Sequence, residues 1–210
     1  EASENRLCEL VDGTLVEPTF VDLFWQKGIP ELYAAKTGLS YGQALEEIKR
    51  RYDEVGERDI RWYLPGHWFR DLGLEGDPRE VIGRFKDSLR VYPEAEGVME
   101  RLHERYKLIV SSNAALEFLE IEVAPFHRYL SRIFSSTSHF GQVKKTPEFY
   151  TKVSKSLGIE PREMIHVGDH WEFDYLVPRK LGMECYYLDR KGKRKGEFIL
   201  RDLEELEARL

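Results

Sequence analysis

The stretch Lys107-Leu108-Ile109-Val110-Ser111-Ser112-Asn113 carries the reading of the fold. A short apolar, partly β-branched run that stops on hydroxyl and amide side chains reads as a buried strand ending in a polar turn. Residues 94–105 before it and 115–124 after it have helical spacing. Ile133-Phe134 begins a further strand, and Thr146-Pro147-Glu148 opens a helix with Thr as N-cap and Pro in the first turn. Met164-Ile165-His166-Val167 is a strand stopping at Gly168-Asp169, and residues 172–180 are helical. Cys185-Tyr186-Tyr187-Leu188 and Phe198-Ile199-Leu200 read as strands. Strands alternating with helices of this size predict a parallel sheet covered on both faces.

Toward the N-terminus, Leu7-Cys8 and Leu10-Val11 form a first strand that ends at Asp12-Gly13-Thr14. From residue 20 to 89 the pattern is helical. Phe20, Leu23, Phe24 and Lys27 follow 3–4 spacing up to Gly28-Ile29-Pro30. Ser40-Tyr41-Gly42-Gln43 resembles a capping box, and Asp77-Pro78-Arg79-Glu80 opens a helix expected to reach about residue 89. This stretch is too long for a crossover between neighbouring strands. The expectation is an α/β fold: a Rossmann-like parallel-sheet core from residues 1–17 and 90–210, with an inserted α-helical cap over 18–89.

The 210 residues suffice to bury a core without disulfides or a structural metal. Charged residues make up 33%, and no run of about 20 apolar residues exists to span a bilayer. With 4 Trp, 11 Tyr and 11 Phe the chain is too aromatic for a solvated coil. A net charge of −6 excludes a strongly basic nucleic-acid footprint. Cys8 and Cys185 have no CxxC spacing and read as reduced thiols. With polar residues and no apolar leader at the start, they suggest a cytoplasmic protein. Oligomeric state is left open.

Open parallel sheets bind ligands at the carboxyl ends of their strands. Asp12-Gly13-Thr14, Ser112-Asn113 and Gly168-Asp169 all fall at such ends, with Asp174 five residues after Asp169 and Lys144 just before the Thr146-capped helix. Carboxylates suit a hard cation such as Mg²⁺; lysine, hydroxyl and backbone N–H groups suit a phosphate.

Four motifs in order resemble the haloacid dehalogenase superfamily, whose members are mostly Mg²⁺-dependent phosphatases. Leu10-Val11-Asp12-Gly13-Thr14-Leu15 stands against Asp-x-Asp-Gly-Thr-Leu, and Ser112-Asn113 matches the second motif. Gly141-Gln142-Val143-Lys144-Lys145-Thr146-Pro147 follows Gly-x-x-Lys-Pro-x-Pro with Lys145 in place of the first Pro. Gly168-Asp169-His170-Trp171-Glu172-Phe173-Asp174 meets Gly-Asp-x-x-x-x-Asp. The resemblance implies Asp12 as general acid/base and, through its carbonyl, a metal ligand. It implies Ser112 and Lys144 on the phosphoryl oxygens, with Gly13, Thr14 and Asn113 beside them, and Lys144 also orienting the nucleophile. It implies Asp169 on Mg²⁺, supported by Asp174.

One position departs. The superfamily's nucleophilic Asp is Leu10 here, which neither attacks phosphorus nor ligates metal. Glu9 is adjacent, but successive strand side chains point to opposite faces, so a bulge is needed to bring it round. The expected function is a Mg²⁺-dependent phosphatase acting on a small phosphomonoester through an aspartyl-phosphate type mechanism. The alternatives are a catalytically silent relative that binds a phosphorylated ligand or a protein partner, and a dehalogenase. No nucleic-acid or membrane partner is expected. Residues 61–70, rich in Trp, Tyr and Arg, are expected to pack the cap; His166 is expected in the core; the basic loop 191–196 is expected to be solvated.

Overall fold

The computed structural model describes the backbone of Arg6–Glu9 and all of residues 13–210. Leu10, Asp12 and the side chains of Cys8 and Glu9 lie outside the described residues. Six strands form one sheet: β1 (Arg6–Glu9), β2 (Lys107–Ser112), β3 (Leu130–Ser135), β4 (Met164–Gly168), β5 (Glu184–Leu188) and β6 (Ile199–Leu200). The order is β3-β2-β1-β4-β5-β6 and every pairing is parallel. This is the doubly wound order, and it follows from the strand–helix alternation.

Strand alternation splits the core into two layers. Leu108 and Val110 of β2 pack with Met99, Leu102 and Leu119 on one face. Ile109 between them packs with Phe149, Val153 and Met164 on the other. Burial of β2 on both faces explains why its sequence is continuously apolar rather than alternating.

Between β1 and the helix Ala95–Leu102 lie the helices Thr19–Leu23, Ile29–Thr37, Tyr41–Val55, Pro65–Asp71 and Pro78–Gly83. The chain leaves and re-enters the sheet layer through a short antiparallel contact. Val16 pairs Val91, Glu17 N–H donates to the Arg90 carbonyl at 2.8 Å, and Tyr92 N–H donates to the Leu15 carbonyl at 3.1 Å. The helical insertion has its own apolar centre of Phe20, Phe24, Ile29, Ile48, Trp68 and Phe69, closed by Phe118 of the helix Leu116–Glu122. Phe118 meets Phe20 and Phe24 edge to face at 6.3 and 5.1 Å. The Ser40–Gln43 capping box is present, and Asp77 caps the next expected helix through Arg79 N–H. That helix ends at Gly83, earlier than its spacing suggested, and continues only as a 3₁₀ turn at Lys86–Ser88. Glycine interrupts the helix, and Arg84 N–H is shared among three carbonyls behind it.

Two helices differ from expectation in the same way. Phe24–Gly28 and Trp171–Leu176 are π-helical, closed by Ile29 N–H to the Phe24 carbonyl and Val177 N–H to the Glu172 carbonyl. Each wide turn is followed at once by a proline inside the helix, Pro30 and Pro178. A proline ring has no N–H and clashes with the carbonyl four residues back; a widened turn moves that carbonyl aside. Tyrosines take up carbonyls in these turns: Tyr41 donates to Gln26 at 2.7 Å, Tyr52 to Trp25 at 3.2 Å and Tyr150 to Phe173 at 2.6 Å. Among the described residues no helix is long and apolar enough to cross a membrane.

Candidate active site

β1 lies between β2 and β4, so the segments that follow these three strands meet at one crevice where the strand order reverses. A cavity of about 200 Å³ opens there, lined by Gly13, Ser112, Asn113, Lys145, Asp169 and Asp174. The expected residues Gly13, Ser112, Asn113, Asp169 and Asp174 are thus brought together. Asp12 and Leu10 lie outside the described residues.

The lysine lining this cavity is Lys145, whereas the expected Lys144 does not line it. Lys145 is buried to 1% side-chain exposure and forms an ion pair with Asp174, itself fully buried. Lys144 has φ +69°, the left-handed region in which side-chain-bearing residues are uncommon. That backbone reversal leaves the Lys144 side chain facing the helical insertion. Its ammonium lies 3.4 Å from Glu57 and 5.0 Å from the ring of Phe173. Sequence spacing alone does not distinguish two adjacent lysines. The signal available was the displaced Pro of the motif, which marks a loop of altered geometry.

Asp174, expected to support a metal, anchors the neighbouring groups in this structure. Its Oδ2 accepts the backbone N–H of His170 at 3.0 Å, while Oδ1 meets Lys145 and, at 3.3 Å, His166 Nε2. Its carboxyl group packs on Gly168, where a Cβ would come within 2.5 Å. Burial works against the charge, but Lys145 and the His166 hydrogen bond outweigh it and hold Asp174 well below the usual carboxylate range. His166, fully buried as expected of a core histidine, has its pKa pushed down, first by burial. It is therefore neutral. Tyr150 Oη, which already donates to Phe173, lies 3.3 Å from the same Nε2, so the proton is assigned to Nε2 and shared by Asp174 and Tyr150.

Ser112, also in the cavity lining, is 1% exposed and its Oγ accepts Ala114 N–H at 3.0 Å. Its hydroxyl proton remains available to an anion. Asn113 Oδ1 accepts from Ser136 Oγ at 3.0 Å, which fixes the amide. Thr14 does not reach the cavity. It is fully buried, and its hydroxyl has no hydrogen-bond partner among the described residues.

Gly13 and Asp169 are fitted to each other. Gly13 has φ +73°, and a Cβ at that position would lie 1.8 Å from Asp169 Oδ2. Only glycine allows both the backbone and the carboxylate to occupy this place. Asp169 is exposed at the cavity, and its hard oxygens suit Mg²⁺, which keeps several waters and needs few protein ligands. No group of three His, Cys, Asp or Glu able to hold a metal occurs among the described residues.

A residue not singled out from the sequence holds the loop after β1. Arg190 Nη2 donates to the Thr14 carbonyl at 2.7 Å and Nε to the Gly13 carbonyl at 3.2 Å. Its Nη1 pairs with Glu94 at 2.7 Å, and the guanidinium lies 3.5 Å from the centre of the Tyr92 ring. Arg190 is 176 positions from Thr14 in sequence, so no local pattern reveals the contact. Lys191 and Lys193 of the neighbouring basic loop are exposed, yet both line a second cavity of about 340 Å³ next to Gly13 and Asp169.

A family model described as haloacid dehalogenase-like hydrolase matches residues 11–182. A GMP/IMP nucleotidase of Escherichia coli is 26% identical over 166 residues, covering 76% of this chain and 71% of the relative. A glyceraldehyde 3-phosphate phosphatase of Methanopyrus kandleri is 24% identical over 171 residues, covering 75% and 72%. The crystal structure of a HAD phosphatase from Thermococcus onnurineus matches with a TM-score of 0.82 at 22% identity, covering 97% of this chain and 96% of that one. That structural match bears on the fold.

Proposed function

The chain belongs to the haloacid dehalogenase-like hydrolase family, and from that premise and the cavity's geometry we propose that it acts on a small phosphomonoester. The observation that carries this reading is the buried Lys145, held by Asp174 in a cavity that Ser112 and Asn113 also line at the sheet's switch point. An ammonium fixed in a cavity of about 200 Å³ that a serine hydroxyl also lines suits a phosphoryl group. A dehalogenase is disfavoured because Asp12 and Asp169 are retained, which suits a metal and a phosphate.

In this reading Lys145 offsets the phosphoryl charge while Asp174, neutral His166 and Tyr150 keep its side chain in place. Ser112 donates to one phosphoryl oxygen. Arg190 fastens the loop at Gly13 and Thr14, next in sequence to Asp12, the residue that would give and take a proton. Asp169, with the Asp12 carbonyl, would hold Mg²⁺, and the cation would supply charge neutralisation at the phosphate oxygens. Residues 18–89 serve as the cap that encloses the leaving group.

The aspartyl-phosphate route needs a carboxylate where this chain has Leu10. That single residue favours a second reading, in which the phosphoryl site is retained for binding without turnover. Phosphate release from a phosphomonoester panel, with and without Mg²⁺, tests the two. Turnover lost in Glu9→Gln marks Glu9 as the nucleophile. Turnover appearing only in Leu10→Asp marks the native chain as a silent binder. An inert Leu10→Asp variant that also fails to bind phosphate overturns the assignment.

A further inference from the structure

The phosphoryl cavity shares a lining residue with a neighbouring cavity against the helical insertion. Asn113 lines it and also lines a neighbouring cavity of about 270 Å³ walled by Trp25, Trp62, Tyr63 and Phe118. Trp25 and Trp62 in turn line a third cavity of about 340 Å³, whose polar lining includes Gln26, Lys49 and Asp53. We infer that this run of cavities is the leaving-group subsite, and that it takes a flat aromatic ring system with hydrogen-bonding groups on its outer edge. The inference rests on the phosphomonoester reading and deepens it by naming the substrate class.

Trp25 packs one side against the insertion's apolar cluster, and Trp62 is not part of that cluster. Trp68, Phe20 and Phe24 are fully buried there, whereas Trp25 and Trp62 stay partly exposed on the cavity walls. Large apolar rings left open beside a polar site mark a binding surface. Both are held before any ligand arrives. Trp62 lies in the 3₁₀ turn Ile60–Tyr63, capped by Asp59, and its carbonyl accepts Trp68 Nε1 at 3.3 Å. Trp25 lies in the π turn forced by Pro30; its carbonyl accepts Tyr52 Oη, and its ring meets Tyr52 edge to face at 5.8 Å. Rigid aromatic walls favour stacking by a flat ring, because little side-chain entropy is lost. An aliphatic or sugar leaving group gains no stacking and leaves the polar groups of the third cavity unmet.

Calorimetric titration of the full chain tests this with matched pairs: phenylphosphonate against methylphosphonate, and a purine nucleoside 5′-monophosphate against ribose 5-phosphate, with inorganic phosphate as reference. The ring should improve affinity at least about tenfold in one or both pairs, as stacking on aromatic side chains does elsewhere. The purine pair alone responding identifies a nucleoside ring; both responding identifies any aryl group. Trp62→Ala should bring the ratio close to one, and Trp62→Phe should keep most of it, which separates stacking from misfolding. Inorganic phosphate bound with ratios near one in both pairs overturns the aromatic subsite and leaves the phosphoryl site standing. Ratios unchanged in Trp62→Ala and in Trp25→Leu place the preference elsewhere and also overturn it. Failure to bind any of the five compounds overturns the underlying reading as well.

Discussion

Replacing Lys145 by methionine should cost far more than the same change one residue earlier. Lys145 and Asp174 are 1% and 0% exposed, so Lys145→Met removes a charge from a pair that water cannot reach. Removing one partner of a buried pair typically costs about 3–5 kcal/mol, because the other charge is left uncompensated. Asp174 keeps the His170 N–H and His166 Nε2, which argues for the lower end, about 3 kcal/mol. For a chain of this length that is a fall in Tm of roughly 6–12 °C. Lys144 pairs with Glu57, which is 67% exposed, and Lys144→Met should cost no more than about 1 kcal/mol. The pH dependence has a definite sign. In the native chain Asp174 is held low, so its contribution is present above the unfolded carboxylate value near 4 and is lost as pH falls below it. In Lys145→Met burial dominates and favours the protonated acid. The deficit should therefore be largest near pH 7 and shrink toward pH 4. Adding Asp174→Asn to Lys145→Met should recover more than half of the loss. Urea unfolding of the four proteins, fitted with a common m-value, gives the comparison. If Lys145→Met lies within about 0.5 kcal/mol of the native chain, or Lys144→Met costs as much, the buried-pair argument is refuted.

Arg190→Met removes two hydrogen bonds from the loop after β1 and leaves Glu94 without its partner. Amides near Gly13 and Val16 should exchange faster while those of β2 and β4 keep their protection, and phosphate affinity should fall about tenfold. Equal exchange in both regions would count against the clamp. Gly13→Ala places a methyl group within 1.8 Å of Asp169 Oδ2 at a φ of +73°. It should abolish Mg²⁺-dependent effects on ligand binding and lower stability by about 2 kcal/mol, read by calorimetry and thermal unfolding. His166, buried and neutral, makes stability fall as pH drops below the unfolded histidine value near 6.5. Its slope should approach about 1.4 kcal/mol per pH unit, and a His166→Asn variant measured from pH 7.5 to 5 should lack that component.

The alternation of strands and helices after residue 93 was legible in the sequence because each strand carries its own local signature. Leu108-Ile109-Val110 and Met164-Ile165-His166-Val167 are apolar runs ended by polar residues, and caps such as Thr146 and Asp77 act within three residues. Once those strands pair in parallel, their ends must meet, so Ser112, Asn113 and Asp169 could be assigned to one crevice beforehand. The helical insertion was legible for the same reason, since its length excludes a simple crossover. Tertiary structure decided what depends on a single torsion angle or on a distant residue. The left-handed φ of Lys144 chooses which lysine enters the cavity, and no spacing rule encodes it. The π turns before Pro30 and Pro178 place Trp25 and Asp174 where an ideal helix would not. Arg190 reaches Gly13 and Thr14 from the far end of the chain, and Thr14 is withdrawn from the cavity into the core. Local patterns in a sequence specify which elements form and in what order. The identity of the side chain that faces the site is specified only when packing fixes each backbone turn.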